Sequence, residues 1–517
     1  MEPACIRHND LPGTSRLFAD FIYHFGRVAP FYRHNPHDPA SFQAAAAEIN
    51  YPGDRRAAMV RALRGQNGDS ESLRRLAEPG TVAIVTGQQV GLFSGPAYTI
   101  YKAITAARLA RDLTRSGTPA VPVFWLATED HDFAEVNHAW VFDSAHEPVK
   151  FEAAAESNGR QRPVGGIVLA QPPVEQLAAL LASFPHGEEV SSLVREAYRP
   201  GVTMGASFHA LLKGLLGKLD LLFLDPLDPA VRAISAPIVA EALTAAPELK
   251  AHLLDRNREL EKAGYHAQVH LEEKTSLFFL LQNGERVPLR RSNSDFSDLR
   301  DQAAEVSPNA LLRPVVQDYL LPTLAYIGGP AELAYFAQAS VIYDRLLGRM
   351  PVVTSRTGFT LLEPRTEKLL KRYKLSVAET FVDPEHLRER IARQLVPDSV
   401  EKGFADAAAG IRHHIESLDR ELNLFDPTLA ASLGAAKGKM LYQLEKTRRK
   451  IERETMRRDE RAATEARYLS NFLFPHRHLQ ERFYSILPFL AKHGLDLIDR
   501  LYDAAQLDCP DHHILTI

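Results

Sequence analysis

The segment Thr81–Lys102, TVAIVTGQQVGLFSGPAYTIYK, joins a short apolar run to a glycine-rich stretch and then to a helical pattern. The run Thr81–Thr86 is too short for a helix and is rich in β-branched residues, which predicts a buried strand. Pro96 stands where a first helical turn would begin, and a helix is predicted from there to about Arg111. A strand that runs through a glycine-rich loop into a helix is typical of a parallel sheet covered by helices.

Four more short apolar runs follow, separated by helical patterns. Most are rich in β-branched or aromatic residues, and Gly, Asp or Arg follows closely after each. With the first run they predict an α/β fold, and the carboxyl ends of its parallel strands are where ligands bind in such folds. The four runs are Val121–Thr128 (VPVFWLAT), Asp220–Leu224 (DLLFL), Leu321–Ile327 (LPTLAYI) and Pro351–Ser355 (PVVTS).

A different pattern lies between the third and fourth of these five strands. Thr275–Gln282 and Glu285–Arg291 each read as a strand, and Asn283-Gly284 stands between them. Asn-Gly favours a type I′ turn, because both residues can adopt positive φ. The pattern predicts a hairpin inserted into the parallel core.

After Pro364 the strand signals fade and a charged helical sequence begins. Two helices, broken at Asp426-Pro427, carry apolar seams with spacings of three and four, which predicts an antiparallel helical hairpin. Residues 445–461 carry eight basic and five acidic side chains, so we interpret this part as a solvated arm, with an RNA-contacting arm as the alternative. The seams are Phe404, Ala408, Ile411, Ile415, Leu418 and Leu422 in the first helix, and Leu433, Met440, Leu444, Thr447 and Ile451 in the second.

Composition excludes several classes of protein. The 517 residues include 61 Lys and Arg against 65 Asp and Glu, so no bulk positive charge indicates a nucleic-acid or membrane-surface binder. Only Cys5 and Cys509 are present, which excludes a disulfide scaffold and a Cys-rich zinc module. Cys509 with His512 and His513 resembles a metal-binding fragment, but three ligands in a tail do not predict a site. Residues 1–10 lack the layout of a secretory signal, and we expect a cytoplasmic protein without membrane segments.

The glycine-rich stretch is the first candidate binding element. Gly87, Gly91 and Gly95 allow close approach of backbone amides, and the following helix N-terminus favours negative charge, so a phosphate or carboxylate cradle is predicted. The spacing matches neither common phosphate fingerprint, and a purely structural turn is the alternative. Such a turn would not need the polar side chains of the same stretch, which are Gln88, Gln89, Ser94 and Tyr98.

The second candidate is the end of the next strand, Thr128-Glu129-Asp130-His131-Asp132, with Asn137 shortly after it. Crowded carboxylates raise the pKa of some of their members and can supply an acid or base. His131 can act as a general base, with Asp130 or Asp132 orienting it or meeting a substrate ammonium. Metal binding and a simple capping cluster are the alternatives.

The third candidate is Tyr326–Glu332, YIGGPAE, where a strand leads through Gly328 and Gly329 into a second helix. Glu332 lies in the first helical turn, where the helix dipole favours a carboxylate. Arg313 upstream and Arg356 after the last strand are candidate anion contacts.

Three segments, TGQQVGLFSGPAYTIYKAI, FWLATEDHDFAEVNH and LRPVVQDYLLPTLAYIGGPAELAYFAQ, with the late coiled-coil sequence, resemble the bacillithiol biosynthesis cysteine-adding enzymes, a family of cysteine ligases. The resemblance runs in order across nearly the whole chain. It implies a Rossmann-like, doubly wound parallel sheet with inserted connecting segments, and an antiparallel coiled-coil domain that supports a homodimer. It further implies addition of L-cysteine to glucosaminyl malate, the last step of bacillithiol synthesis.

The resemblance sets the expected domains and chemistry. We expect a core at 1–360 with insertions at about 150–215 and 255–300, a helical arm at 361–468, and a C-terminal helical segment at 469–517 that returns to the core. Amide formation in water requires activation of the carboxylate, most simply by ATP with magnesium, and a base to accept the ammonium proton. We predict no other metal and no nucleic-acid partner.

On this interpretation the catalytic residues are Asp130, His131 and Asp132, which handle the amine. Two alternatives are a related Rossmann enzyme that activates another carboxylate or transfers a nucleotidyl group, and a non-catalytic dimeric coiled-coil scaffold. The motifs place the substrate and nucleotide contacts at Thr86, Gly87, Gln88, Gln89, Gly91, Ser94, Gly95, Tyr98, Glu129, Asn137, Gly328, Gly329 and Glu332.

Overall fold

The structure, a computed structural model, describes residues 4–155, 161–272, 275–291 and 295–517, with only the backbone described for 427–431. The chain forms two compact units. The first comprises the chain up to Ser144, Pro148–Leu361 and Glu481–Ile517, and the second comprises Ala145–Glu147 and Leu362–Gln480.

The strands lie almost entirely in the first unit. In chain order they are β1 (Ala4–Ile6), β2 (Val82–Gln89), β3 (Ala120–Ala127), β4 (His138–Phe142), β5 (Pro148–Glu152), β6 (Leu222–Leu224), β7 (Phe278–Gln282), β8 (Glu285–Pro288), β9 (Val306–Pro308), β10 (Thr323–Gly328), β11 (Val352–Ser355), β12 (Phe359–Leu362) and β13 (His512–Thr516).

Helices fill both units. Those before the end of β11 are α1 (Arg16–Tyr23), α2 (Pro39–Ala47), α3 (Gly53–Asn67), α4 (Glu71–Ala77), α5 (Tyr98–Arg115), α6 (Phe133–Val136), α7 (Val174–Leu181), α8 (Gly187–Ala197), α9 (Met204–Leu216), α10 (Pro229–Thr244), α11 (Ala246–Lys262), α12 (Arg313–Leu320) and α13 (Pro330–Leu346). Those after it are α14 (Pro364–Arg372), α15 (Pro384–Leu395), α16 (Asp398–Phe425), α17 (Pro427–Arg458), α18 (Glu460–Leu473), α19 (Gln480–Phe483), α20 (Leu487–His493) and α21 (Leu497–Ala504).

The predicted α/β fold is confirmed. All five predicted strands belong to one parallel sheet of the described residues, in the order β11-β10-β2-β3-β6. One face packs Ile84 and Ile327 against the α5 residue Ala106. The other face packs Val85 and other strand side chains into a second apolar cluster with helices such as α10 and α13. Helices on both faces are the mark of a doubly wound sheet.

The strand β2 continues beyond the predicted boundary at Thr86. Gly87–Gln89 pair with Trp125–Ala127 of β3, so the glycine loop begins three residues later than the sequence predicts. A Cβ at position 87 would lie 2.9 Å from the carbonyl oxygen of Trp125. Glycine therefore serves close strand packing at this position.

The predicted hairpin is present as β7 and β8, which pair antiparallel, and β9 adds a third strand on the other side of β7. Asn283 and Gly284 have φ of 54° and 78°, as a type I′ turn requires. Sequence analysis did not identify the antiparallel pair β4–β5, or the sheet β1-β13-β12 that joins the two ends of the chain.

In the second unit, α16 and α17 pack against each other as the predicted helical hairpin. Its seam is only partly buried, since α16 has no fully buried residue and Leu418 is 47% exposed. Among the described residues, no helix combines the length and apolar character needed to cross a membrane.

Candidate active site

A cavity of about 550 Å³ opens where the central strands of the first unit end. Gly87–Gln89 of β2, Glu129 and Asp130 after β3, and Gly329 after β10 all line it. The chain continues from β2 towards β3 and β6 on one side, and returns to place β10 and β11 on the other. The cavity therefore lies beside the topological switch point of the sheet, where doubly wound folds bind their ligands.

A buried ion pair between Lys102 and Glu332 stands in the wall of this cavity. Lys102 Nζ also donates to Gly87 O and Gln88 Oε1, each at 2.9 Å. Burial alone would raise the pKa of Glu332, but the Lys102 charge and the N–H of Gly329, 2.8 Å from Glu332 Oε2, outweigh burial and lower it. The carboxylate thus caps α13 and fixes the lysine at once.

Two tyrosines and an arginine extend this network along the wall. Tyr326 donates its hydroxyl hydrogen to Glu332 Oε1 at 2.7 Å. Arg313 donates to the hydroxyl of Tyr335 at 3.0 Å and to Gln317 Oε1 at 2.9 Å. Arg313 is therefore held by neutral partners, which leaves its positive charge available to an anion in the cavity.

Asp130 faces the cavity from the other side. Gln89 Nε2 donates to Asp130 Oδ2 at 2.6 Å, and the backbone N–H of His131 donates to Oδ1 at 2.7 Å. Arg286 Nη1 lies 3.1 Å from His131 Nδ1. Because a guanidinium only donates, Nδ1 is the acceptor in this contact. The carboxylate of Asp130 is thus better placed than the imidazole to accept a proton from a ligand.

Glu129, immediately before Asp130, is a buried carboxyl with a raised pKa. Its residue exposure is 6%, and burial raises its pKa although Arg232 Nη1 donates to Glu129 Oε1 at 2.8 Å. The pKa of one carboxyl of this segment is thus raised, but the cause is burial of Glu129 and not the crowding of carboxylates that the sequence suggested.

Arg356 follows β11 and also lines the cavity. Glu481 holds its guanidinium from behind, with Nη1 donating to Oε2 at 2.8 Å and both nitrogens engaged. The pair is buried, with side-chain exposures of 6% and 3%. A bidentate contact of this kind fixes the orientation of an arginine.

Some residues of the predicted cradle do not line the cavity in the described part of the chain. Gly91 and Gly95 approach so closely that a Cβ on Gly91 would lie 2.9 Å from Gly95 Cα. The N–H of Gly95 donates to Leu92 O at 2.9 Å, and the buried hydroxyl of Ser94 lies 3.2 Å from that of Ser485. These groups shape the turn, which corresponds to the structural alternative at this part of the stretch.

Thr86 and Gly328 also make hydrogen bonds within the fold and are not among the described lining residues. The hydroxyl of Thr86 donates to Ile327 O at 2.9 Å, and Gly328 O accepts the N–H of Arg356 at 2.9 Å. Both contacts join neighbouring strands just behind the cavity wall.

Asp132, His131 and Asn137 are not among the described residues that line the cavity. Asp132 caps the short helix α6 by accepting the N–H of Glu135 at 3.2 Å. Asn137 Nδ2 donates to Ala153 O at 3.4 Å. The predicted residues that do line the cavity are Gly87, Gln88, Gln89, Tyr98, Glu129, Asp130, Gly329 and Glu332.

Several lining residues were not predicted from the sequence, among them Lys102 and Arg286. Lys102 sits within the consecutively buried run Thr99–Ala107 of α5, and a lysine in such a run is the signal that could have identified it. Arg286 belongs to the inserted hairpin, and its approach to His131 depends on how that hairpin folds back. Among the described lining residues, the basic side chains Lys102, Arg286, Arg313, Arg356 and Arg482 outnumber the acidic Glu129, Asp130 and Glu332.

Comparison with known proteins assigns nearly the whole chain to one family. Residues 1–357 match the family described as "Bacillithiol biosynthesis BshC, N-terminal Rossmann-like domain", and residues 359–517 match its "C-terminal coiled-coil domain". A protein of Solibacter usitatus named "Putative cysteine ligase BshC" is 53% identical over the full length of both chains. Proteins of the same name from Koribacter versatilis and Symbiobacterium thermophilum are 38% identical over 100% of both chains and 34% identical over 96% of both. The chain therefore belongs to the BshC family of bacillithiol biosynthesis proteins.

Proposed function

We propose that this chain is a ligase that joins the carboxyl group of L-cysteine to the amine of glucosaminyl malate, the last step of bacillithiol biosynthesis. ATP, accompanied by magnesium, activates the cysteine carboxylate. The observation that carries the proposal is a cavity at the sheet switch point in which basic side chains outnumber acidic ones and the carboxylate of Asp130 is held in the wall by hydrogen bonds. The names of the relatives support the same chemistry.

The cations suit the proposed substrates, which are anionic. Malate carries two carboxylates, cysteine one, and ATP a chain of phosphates, and Arg groups recognise both kinds of oxyanion. The indole N–H of Trp125 adds a donor, because it is buried in the cavity wall and no hydrogen-bond partner is found for it among the described residues. An oxygen of the ligand would satisfy this donor.

The carboxylates suit magnesium in its usual role with ATP. Magnesium binds through phosphate oxygens and one or two carboxylates, and Glu129 and Asp130 line the cavity as the candidate donors. The ion would supply neutralisation of the phosphate charge.

The amide forms by attack of the glucosamine nitrogen on the activated carbonyl carbon of cysteine. A C–N bond forms, the C–O bond to the phosphate-containing group breaks, and the ammonium proton passes to Asp130. Gln89 and the His131 N–H orient the two oxygens of Asp130 by the hydrogen bonds described above. Arg286 Nη1 donates to Nδ1 of His131 beside them.

We also propose that the helical hairpin of the second unit forms a homodimer. Its apolar residues are more exposed than a monomer surface requires, with Leu424 85%, Phe425 82% and Tyr442 64% exposed. Analytical ultracentrifugation should give twice the mass of the 57.6 kDa chain, and Leu418→Glu with Met440→Glu should shift it towards one chain. A single-chain mass for the unaltered protein would contradict the dimer.

The ligase is tested by mass spectrometry of the purified chain with L-cysteine, glucosaminyl malate, ATP and magnesium, and with each component omitted in turn. We expect an amide product that requires all four. AMP with pyrophosphate would indicate an acyl-adenylate, and ADP with phosphate an acyl-phosphate. A product with another amino acid in place of cysteine would support the related-enzyme alternative.

The matched control compares Asp130→Asn with Lys218→Ala, whose exposed side chain pairs with Asp499 at the surface. The first should abolish product and the second should leave it unchanged. Absence of product from a folded protein that binds all substrates would contradict the ligase.

A further inference from the structure

The two ends of the chain meet at the edge of the sheet β1-β13-β12. Cys5 of β1 stands directly opposite His513 of β13 in the antiparallel register. Cys509 lies shortly before β13, and its Sγ is 3.2 Å from Sγ of Cys5. The only two cysteines of the chain, 504 positions apart, therefore face each other beside a histidine.

These three residues present metal ligands together. One ligand atom from each of Cys5, Cys509 and His513 lies within 4.8 Å of the other two. His513 is completely buried, and its Nε2 lies 3.4 Å from Cys509 O. In the described residues no hydrogen-bond partner is found for its buried Nδ1. An imidazole that presents one ring nitrogen to a backbone carbonyl can offer the lone pair of the other nitrogen to a metal.

We propose that Cys5, Cys509 and His513 form a binding site for one divalent zinc-class cation. Two thiolates and an imidazole are the donor set that zinc prefers, and three protein ligands leave a fourth position of a tetrahedron for water. Binding forms two metal–sulfur bonds and one metal–nitrogen bond and releases the two thiol protons to solvent. The carboxylate of Asp511 lies close enough to both Cys5 and His513 to add negative charge at the site.

The site would fasten the N-terminal strand to the C-terminal strand. The N–H of His513 donates to Gly358 O at 2.9 Å, two residues after the cavity residue Arg356. A Cβ on Gly358 would lie 3.4 Å from Arg356 Nη1. The N–H of Phe359 in β12 donates to Glu481 Oε2 at 3.1 Å, so the same sheet supports the carboxylate that holds Arg356. A metal that joins β1 to β13 would stabilise this sheet, and the proposal does not depend on the ligase activity.

The rival use of the two sulfurs is a disulfide. A disulfide needs an oxidant to remove two electrons and leaves His513 without a role, and it is uncommon in reducing compartments. A metal would bind all three residues, and the geometry favours it because their ligand atoms lie within 4.8 Å of one another.

The experiment titrates Co²⁺ and then Zn²⁺ into the full-length chain, after chelator treatment and with a non-thiol reductant present. We expect one equivalent of Co²⁺ to produce a sulfur-to-metal charge-transfer absorption, which Zn²⁺ then abolishes. Cys5→Ser and Cys509→Ser should each weaken binding at least about tenfold. His270→Ala removes an exposed histidine outside the site and should bind like the unaltered chain.

Two results would overturn the proposal. One is a folded protein that shows no charge-transfer band with Co²⁺ although both thiols react with a thiol reagent. The other is equal Co²⁺ binding by the unaltered chain and Cys5→Ser, which would assign the metal elsewhere. Cys5 is exposed, so its serine variant should fold and keep the test interpretable.

Discussion

Glu481 in the first unit and Glu454 in the helical hairpin both have their pKa lowered to about 2, yet for different reasons. Burial alone would raise the pKa of Glu481, and the charge of Arg356 reverses that effect. Glu454 is exposed, and hydrogen bonds from Arg457 and Arg458 lower its pKa. The same pKa therefore describes a buried pair in one region and a surface cluster in the other.

The difference shows on which charged pairs the stability of the fold depends. The Arg356–Glu481 side chains are 6% and 3% exposed, whereas those of Arg457 and Glu454 are 75% and 38% exposed. A buried pair that loses one partner leaves an uncompensated charge, which costs roughly 3–5 kcal/mol. An exposed pair is screened by water and salt and contributes little. Paired charges therefore fix side-chain geometry at the strand ends, whereas those of the hairpin remain exposed to solvent.

The largest effect should come from Lys102→Met. It leaves Glu332 buried without its counter-charge, and we expect the first unit to lose about 3–5 kcal/mol of stability. Urea unfolding followed by tryptophan fluorescence measures this unit alone, because both tryptophans, Trp125 and Trp140, belong to it. The double variant Lys102→Met/Glu332→Gln should recover part of the loss, since no charge remains unpaired. A double variant less stable than Lys102→Met would contradict the buried-pair explanation.

The next largest effect concerns Glu481, which should make the stability of the first unit depend on pH. Its folded pKa of about 2 lies below the usual 4.5, so its contribution is complete above about pH 4.5 and is lost as the pH falls towards 2. The shift corresponds to about 3 kcal/mol. Glu481→Gln should lower stability at neutral pH and flatten the stability profile of the first unit over that acid range.

Glu454→Gln is the control, since its carboxylate has the same low pKa but is exposed. We expect it to change the acid stability profile of the second unit, followed by far-ultraviolet circular dichroism, much less than Glu481→Gln changes that of the first unit, because water and salt screen this pair. Equal flattening by the two variants would remove the distinction between the buried and exposed pairs.

The third effect concerns the proton acceptor. Asp130→Asn should reduce amide formation at least about 100-fold with unchanged tryptophan fluorescence, because an amide cannot accept the ammonium proton. Asp132→Asn should retain activity within a few-fold, since asparagine also caps a helix and Asp132 stands outside the cavity lining. Equal losses in the two variants would favour the broader catalytic group predicted from sequence.

The sheet could be predicted because each of its strands is a short apolar run with polar or glycine residues directly after it. The same reasoning placed Gln89, Asp130 and Glu332 at one edge, since parallel strands share their carboxyl end. Asn283-Gly284 identified the hairpin because a type I′ turn has a local chemical requirement. All of these signals are local in sequence.

What escaped prediction depends on contacts between distant segments. Arg286 reaches His131 across 155 positions, and no local pattern encodes that approach. The strand β13 is recognisable only once β1 and β12 lie beside it. Gly95 was assigned to a cradle because glycine permits both ligand approach and tight turns, and only the close contact with Gly91 distinguishes these uses.

The smallest effect on stability should come from Lys437, which forms an ion pair in the helical hairpin as Lys102 does in the first unit. Lys437 pairs with Glu416 at 2.8 Å between α17 and α16, but the side chains are 27% and 65% exposed. Lys437→Met should therefore change stability by less than about 1 kcal/mol. Far-ultraviolet circular dichroism during thermal unfolding measures it, and raising the salt concentration should shrink the difference further, because salt screens exposed charges. A loss as large as that of Lys102→Met would mean that the hairpin also depends on fixed charge, and the contrast between the two regions would fail.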